Sequence, residues 1–181
     1  ATIEDARATM VEGISGVLAI APPGTFATEA WRPSVMGGTL HWKSGARARC
    51  FGADKAAKGR GPACNRFWID DPAAFGPHGQ EVLEQLLFGF RERAPDGSPP
   101  RGVISSTPID SDILRWILSG ADGKRRSRMV FSRSITDDNR GNVSEEWLNE
   151  TLAEFAGTEL EQQERFGRLD VVVANAGALR I

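Results

Sequence analysis

Apolar positions change their spacing several times along the chain, and each change marks an element. Ile3, Ala6 and Met10 recur at helical intervals behind the capping hydroxyl of Thr2, with Glu4 and Asp5 in the first turn, where carboxylates meet a helix N-terminus. Gly13 ends that helix, and the apolar run over 14–20 predicts a second short one, closed by Ala21-Pro22-Pro23-Gly24. From Arg32 the period falls to two. Val35-Met36 and the pair Leu40, Trp42 flank Gly37-Gly38, which predicts a two-residue hairpin turn; Lys43-Ser44-Gly45 predicts another. Ala46, Ala48 and Cys50 then alternate with Arg47, Arg49 and Phe51, giving one small apolar face and one largely basic face. A strand meander over 32–51 is expected.

Residues 52–62 form a loop carrying Lys55, Lys58 and Arg60, three cations among glycines that suit phosphate contacts or a plain surface loop. Phe67-Trp68-Ile69 is a short apolar run that suits a strand buried on both faces, and it stops at Asp70-Asp71. Over 81–91 the apolar residues at 82, 83, 86, 87 and 90 make a helical stripe, followed by the linker Asp96-Gly97-Ser98-Pro99-Pro100. A second short buried strand is predicted from Gly102, ending in Ser105-Ser106-Thr107 and stopped by Pro108. Ile113, Leu114 and Ile117 then mark a helix over 109–118, and a basic turn over 120–128 leads to a third strand, Met129-Val130-Phe131. Ser144 caps a helix with Trp147, Leu148, Leu152 and Phe155 as its buried stripe. Gly157 stops it, Thr158 caps the next helix, and Glu161 completes a capping box. Strands alternating with helices predict a mostly parallel sheet with helices on its faces.

Composition narrows the picture without deciding it. The 181 residues are 40% hydrophobic and 25% charged, ordinary for a globular protein of one sizeable core. A net charge of −2 gives no global attraction to nucleic acid, so any basic patch is local. Cys50 and Cys64 have neither metal-ligand spacing nor a disulfide framework, no apolar run reaches the length of a membrane span, and a reduced, cytoplasmic setting is expected. His41 and His78 stand alone as structural or surface residues. The five tryptophans, Trp31, Trp42, Trp68, Trp116 and Trp147, are spaced as core or hairpin packing.

The candidate chemistry sits at Asp70-Asp71. Carboxylates at the carboxyl end of a central strand lie where open α/β sheets bind ligands. In P-loop ATPases the first such acid holds the Mg²⁺ of the nucleotide and the next orients the attacking water. Taken alone, the pattern also describes a strand ending in a solvated turn.

Several stretches, in order, resemble one family: the large terminase subunit of tailed bacteriophages and prophages, the motor that pumps DNA into procapsids. They are Val11-Glu12-Gly13 with Ser15 to Ala19, Leu40-His41-Trp42 through Ala48, Ala53-Asp54, Arg60-Gly61-Pro62, and Phe67 to Asp71. Further on come Leu87 to Arg91, Ser105 to Pro108, Ser134 to Asn139, Ala156-Gly157-Thr158, Gln163-Glu164 and Gly167-Arg168-Leu169. The resemblance implies a partial RecA-like P-loop ATPase core of α/β class, with a mostly parallel sheet and a β-meander in the N-terminal third. It implies the core over 1–133, a helical subdomain over 134–169, and a linker over 170–181 toward a nuclease domain. It also implies ATP and Mg²⁺ as cofactors, with Asp70 as the metal ligand. Asp71 stands in the place of the catalytic Glu, and Arg60, Ser105, Ser106 and Thr107 belong to the nucleotide site, the three hydroxyls coupling the γ-phosphate to movement. The implied partners are double-stranded DNA, the portal protein and the small terminase subunit, in a homo-oligomeric ring and with no membrane, in the host cytoplasm.

Two departures modify that expectation. Asp71 is one methylene shorter than Glu, placing its carboxylate about 1.5 Å short of the usual water position. The sequence contains no Gly-x-x-x-x-Gly-Lys-Ser/Thr, so no phosphate loop cradles the β-phosphate, and this polypeptide alone is expected to bind ATP weakly and to be inactive. It reads as the middle of a longer motor protein. A second class of function is a non-catalytic DNA- or portal-binding module derived from a motor. Phe166 to Gly177, with Asn175-Ala176-Gly177, resembles a short-chain dehydrogenase segment, yet the chain has neither the early Gly-rich loop nor any tyrosine.

Overall fold

The computed structural model describes residues 2–34, 37–53, 63–77, 79–119, 130 and 132–166. It divides into two compact units, Ala1–Ser105 and Ser106–Ile181. The chain is mixed α/β, with a three-stranded antiparallel sheet and a two-stranded parallel one among the described residues. The third expected strand, over 129–131, lies largely outside the described residues, as do Arg60, His78 and 170–181.

The first unit opens as the capping pattern predicts. The hydroxyl of Thr2 accepts from the Asp5 amide while the Asp5 carboxylate accepts from the Thr2 amide, starting α1 (Ile3–Ala6). The helix then widens to a π-turn over Arg7–Val11, which the Arg7 guanidinium clamps with two 2.8 Å bonds to the Glu12 carboxylate. A short α2 (Val17–Ile20) follows.

The antiparallel sheet comprises β1 (Phe26–Ser34), β2 (Gly37–Trp42) and β3 (Arg47–Cys50) in that order. The alternation over β3 holds: Arg47 and Arg49 are exposed, Ala48 and Cys50 half-buried. Gly37-Gly38 is not the turn, however. Ser34 pairs with Gly37 and Pro33 with Gly38, so both glycines are strand residues. The reason is steric: a β-carbon on Gly38 would lie 2.2 Å from the Trp31 ring, so only glycine lets that indole lie across the strand. Pro33 is tolerated because β1 is an edge strand.

The parallel sheet pairs β4 (Arg66–Asp70) with β5 (Arg101–Ser105) in unbroken register from Arg66↔Arg101 to Asp70↔Ser105. Between them runs α3 (Gly79–Gly89), whose Val82 and Leu83 are buried, completing a βαβ unit. Phe67 fills the gap left by Gly102, where a β-carbon would lie 2.3 Å from its ring, and meets Phe90 edge-on at 4.3 Å. The strands are not buried on both faces as the apolar runs suggested. Ile69 is buried, but Trp68 is 45% exposed and Val103 61% exposed. Residues of even number on β4 and odd number on β5 share that open face, opposite Phe67 and Ile69.

In the second unit, α4 (Asp112–Ser119) buries Ile113 and Leu114. The caps of α5 (Glu145–Glu154) and α6 (Glu159–Glu164) fall where expected: the Ser144 hydroxyl accepts from Trp147 N–H and that of Thr158 from Glu161 N–H. Leu148 is buried, whereas Trp147 is 51% exposed and so not part of a buried stripe. Glu161 closes its cap one residue further back than a capping box, accepting from Gly157 N–H at 2.7 Å. Arg165 bridges Glu161 at 3.0 Å and Asp137 at 3.4 Å, and Asp137 also meets Arg140 at 2.8 Å, which ties the 3₁₀ turn Thr136–Asn142 to α6.

Candidate functional site at the end of the parallel strands

The register of β4 and β5 decides what lies at their carboxyl ends. Because Asp70 is the partner of Ser105, two polar side chains come together at one tip. The Ser105 hydroxyl donates to Asp70 Oδ1 at 2.7 Å, and the Trp68 indole N–H donates to Ser105 Oγ at 2.8 Å. The ladder goes one step further through the backbone, with Asp71 N–H donating to the Ser105 carbonyl at 2.8 Å.

The chain then leaves the sheet sharply. Asp71 takes up left-handed backbone, φ 43° and ψ 61°, and is the one such non-glycine residue among those described. Asp tolerates this region better than most side chains because its short carboxylate bonds locally. Buried Pro72 starts a 3₁₀ turn over Pro72–Phe75 with its fixed φ, and Gly76 at φ 74° ends it. This turn carries the backbone away from the tip and leaves the Asp70 carboxylate half-buried beside Ser105.

The entry to β5 is also pinned. The Ser98 hydroxyl, and then the Ser98 N–H that donates to Asp96 Oδ1 at 2.8 Å, hold the Asp96 carboxyl below its ordinary range. Arg66 reaches the Ser98 hydroxyl at 3.1 Å, and Arg101 N–H meets the Asn65 carbonyl at 3.1 Å. These contacts set the register that places Ser105 opposite Asp70.

Of the sequence-predicted residues, the structure thus gathers Asp70, Asp71 and Ser105. Ser106 and Thr107 belong to the second unit, where the Ser106 hydroxyl donates to the Thr107 carbonyl at 3.1 Å and that carbonyl lies 2.8 Å from Ile109 N–H in the turn beyond. Trp68 was expected in packing and instead joins the polar tip. The signal was present in the sequence: residues 68 and 70 share a strand face.

Comparison of the chain with protein-family models, curated proteins and solved structures returns no match. The site therefore stands on its own geometry. No helix among the described residues is long and apolar enough to cross a membrane.

A magnesium ion takes octahedral oxygen ligands at 2.0–2.1 Å, usually one or two carboxylates completed by phosphate and water. The 2.7 Å contact from Ser105 Oγ to Asp70 Oδ1 is a hydrogen bond, which leaves Asp70 Oδ2 and one lone pair of Ser105 Oγ; one carboxylate and one hydroxyl suit a magnesium ion that brings phosphate and water as its other ligands. Among the described residues no group of three or more His, Cys, Asp or Glu side chains is gathered for a metal. Burial pushes the thiols of Cys50 and Cys64 up, so neither is primed as a nucleophile.

Proposed function

We propose that this chain carries part of the nucleotide centre of a DNA-packaging ATPase of the terminase large-subunit kind, with β4 and β5 as neighbouring strands of a RecA-like sheet. The supporting observation is the pairing of Asp70 with Ser105: a carboxylate and a hydroxyl meet at the carboxyl ends of parallel strands, joined by a 2.7 Å hydrogen bond. Asp70 and Ser105 would hold the Mg²⁺ of ATP, which when bound neutralises charge developing on the phosphates. Asp70 would present its carboxylate to the cation, Ser105 would offer its remaining lone pair beside it, and Asp71 would stand in the place of the acid that orients the attacking water. Arg60, Ser106 and Thr107 complete the proposed set, and translocated double-stranded DNA, the portal and the small subunit are its proposed partners.

The test uses Mn²⁺ with ATP as a paramagnetic probe of the ¹⁵N-labelled chain. Weak binding is expected, because no phosphate loop is present, with broadening centred on the amides of Asp70, Asp71 and Ser105 and lost in Asp70→Asn. Broadening elsewhere, or unchanged in Asp70→Asn, would remove the nucleotide reading.

A second reading has its own observation. Arg32 pairs with Thr39 and Thr39 with Arg49, so three strands present one row, with His41 and Arg47 in the next. Arg32, Arg47 and Arg49 are exposed, and Glu29 neutralises Arg32 at 3.0 Å. Such a face suits the phosphates of DNA in a non-catalytic binding module. In that case Arg47→Glu with Arg49→Glu weakens duplex binding at least tenfold and flattens its salt dependence, while Asp70→Asn leaves it unchanged.

A further inference from the structure

The hydrogen bonds at the strand tip have a direction that the residue types themselves fix. An indole N–H only donates, and an ionised carboxylate only accepts. Ser105 Oγ sits between them, 2.8 Å from Trp68 Nε1 and 2.7 Å from Asp70 Oδ1. The serine must therefore accept from Trp68 and donate to Asp70, so its proton points at the carboxylate. One lone pair of Ser105 Oγ remains, along with Oδ2 of Asp70. Trp68 is itself held in place: it faces Val103 across the ladder, on the same strand face as Asp70.

We propose that Trp68 is a positioning residue for the cation and phosphate site, setting the rotamer and proton direction of Ser105 so that Asp70 and Ser105 present their free oxygens as a fixed pair. This rests on the nucleotide reading of Asp70 and adds a residue that reading does not name. Without the indole donor, the Ser105 hydroxyl keeps only its bond to Asp70, and its rotamer is held less tightly beside the carboxylate. Losing one such orienting bond weakens cation binding by about three- to tenfold. The same indole is a reporter, because its N–H resonance depends on the Ser105 oxygen it meets.

The experiment uses the whole ¹⁵N-labelled chain, with the indole N–H of Trp68 assigned as the signal missing from Trp68→Phe. Three measurements follow: the position of that resonance in Ser105→Ala and Ser105→Thr, its response to Mg²⁺ with ATP, and Mn²⁺ affinity in wild type and Trp68→Phe. The expected results are a displaced indole signal in Ser105→Ala that Ser105→Thr restores, a shift on adding Mg²⁺ with ATP, and three- to tenfold weaker Mn²⁺ binding by Trp68→Phe. An indole signal unmoved by Ser105→Ala overturns the proposal whatever the cation does. Equal Mn²⁺ affinity in wild type and Trp68→Phe, with Asp70 still the site, also overturns it and leaves the nucleotide reading intact. Absence of any Mn²⁺ effect at Asp70 in wild type removes the nucleotide reading and the proposal together.

Discussion

The left-handed residue at the end of β4 permits a quantitative test. Left-handed backbone costs a residue with a β-carbon about 1–2 kcal/mol, partly recovered by Asp or Asn through local hydrogen bonding. At φ 43° and ψ 61°, Asp71→Asn should be near neutral, whereas Asp71→Ala and Asp71→Glu should each lose about 1 kcal/mol. Asp71→Gly relieves the backbone but loosens the unfolded chain by about 0.4–1 kcal/mol, so it should fall close to wild type. With a urea dependence of about 1–3 kcal/mol per molar, 1 kcal/mol lowers the midpoint by roughly 0.3–1 M. The assay is urea unfolding followed through amide signals of the first unit, with slow exchange of the Asp71 N–H, bonded to Ser105, confirming that the strand end persists. Midpoints for Ala and Glu equal to that of Asn would show that position 71 carries no backbone strain. The series bears on the proposed nucleotide reading too, because in that reading Asp71→Glu gives the carboxylate the reach to orient the attacking water. If that reading holds, Asp71→Glu in a protein joining this chain to a phosphate loop should raise kcat by on the order of 100-fold while costing stability; an unchanged kcat would count against Asp71 as the water-orienting acid.

Other expectations come from packing and charge. Leu83 is 0% exposed, so Leu83→Ala should cost about 2–5 kcal/mol by calorimetry or urea unfolding. Gly38→Ala should cost about 1–3 kcal/mol, since the new methyl must displace the Trp31 ring. In the second unit, hydrogen bonds from Arg140 hold the Asp137 carboxyl below its ordinary range, and those from Gly157 N–H and then Arg165 do the same for Glu161. Both folded-state values are depressed, so their stabilisation is present above the usual carboxylate range and is lost as pH falls through the lowered values. Thermal unfolding of the second unit should thus be insensitive to pH from about 6 upward and weaken below about 4; Arg165→Ala should flatten the acid limb.

Local chemistry made much of this architecture legible. Thr2, Ser144 and Thr158 cap helices because a hydroxyl before an amphipathic run has few competing uses. The Ala48/Cys50 and Arg47/Arg49 alternation fixed the faces of β3 in the same way. The carboxylate at the end of β4 and the hydroxyl at the end of β5 were both visible, and register then joined them. What escaped depended on contacts distant in sequence. Gly37-Gly38 looks like a turn until Trp31, on another strand, needs the space. Trp68 looks like core because bulk and apolarity dominate its signal, while its single N–H finds Ser105 only across the ladder. Glu161 has the length a capping box calls for, yet its carboxylate takes the amide of Gly157, one residue before the cap.

The open face of the parallel strands has a practical consequence. Parallel pairs are ordinarily sandwiched, and here Val103 and Trp68 sit side by side, both exposed, on a sheet that has only two strands among the described residues. Concentrated samples should accordingly self-associate and bind the dye ANS, and a lysine at the valine position (Val103→Lys) should raise solubility while leaving the carboxylate–serine bond in place. Anyone purifying this chain will meet that sticky ribbon before they meet its chemistry.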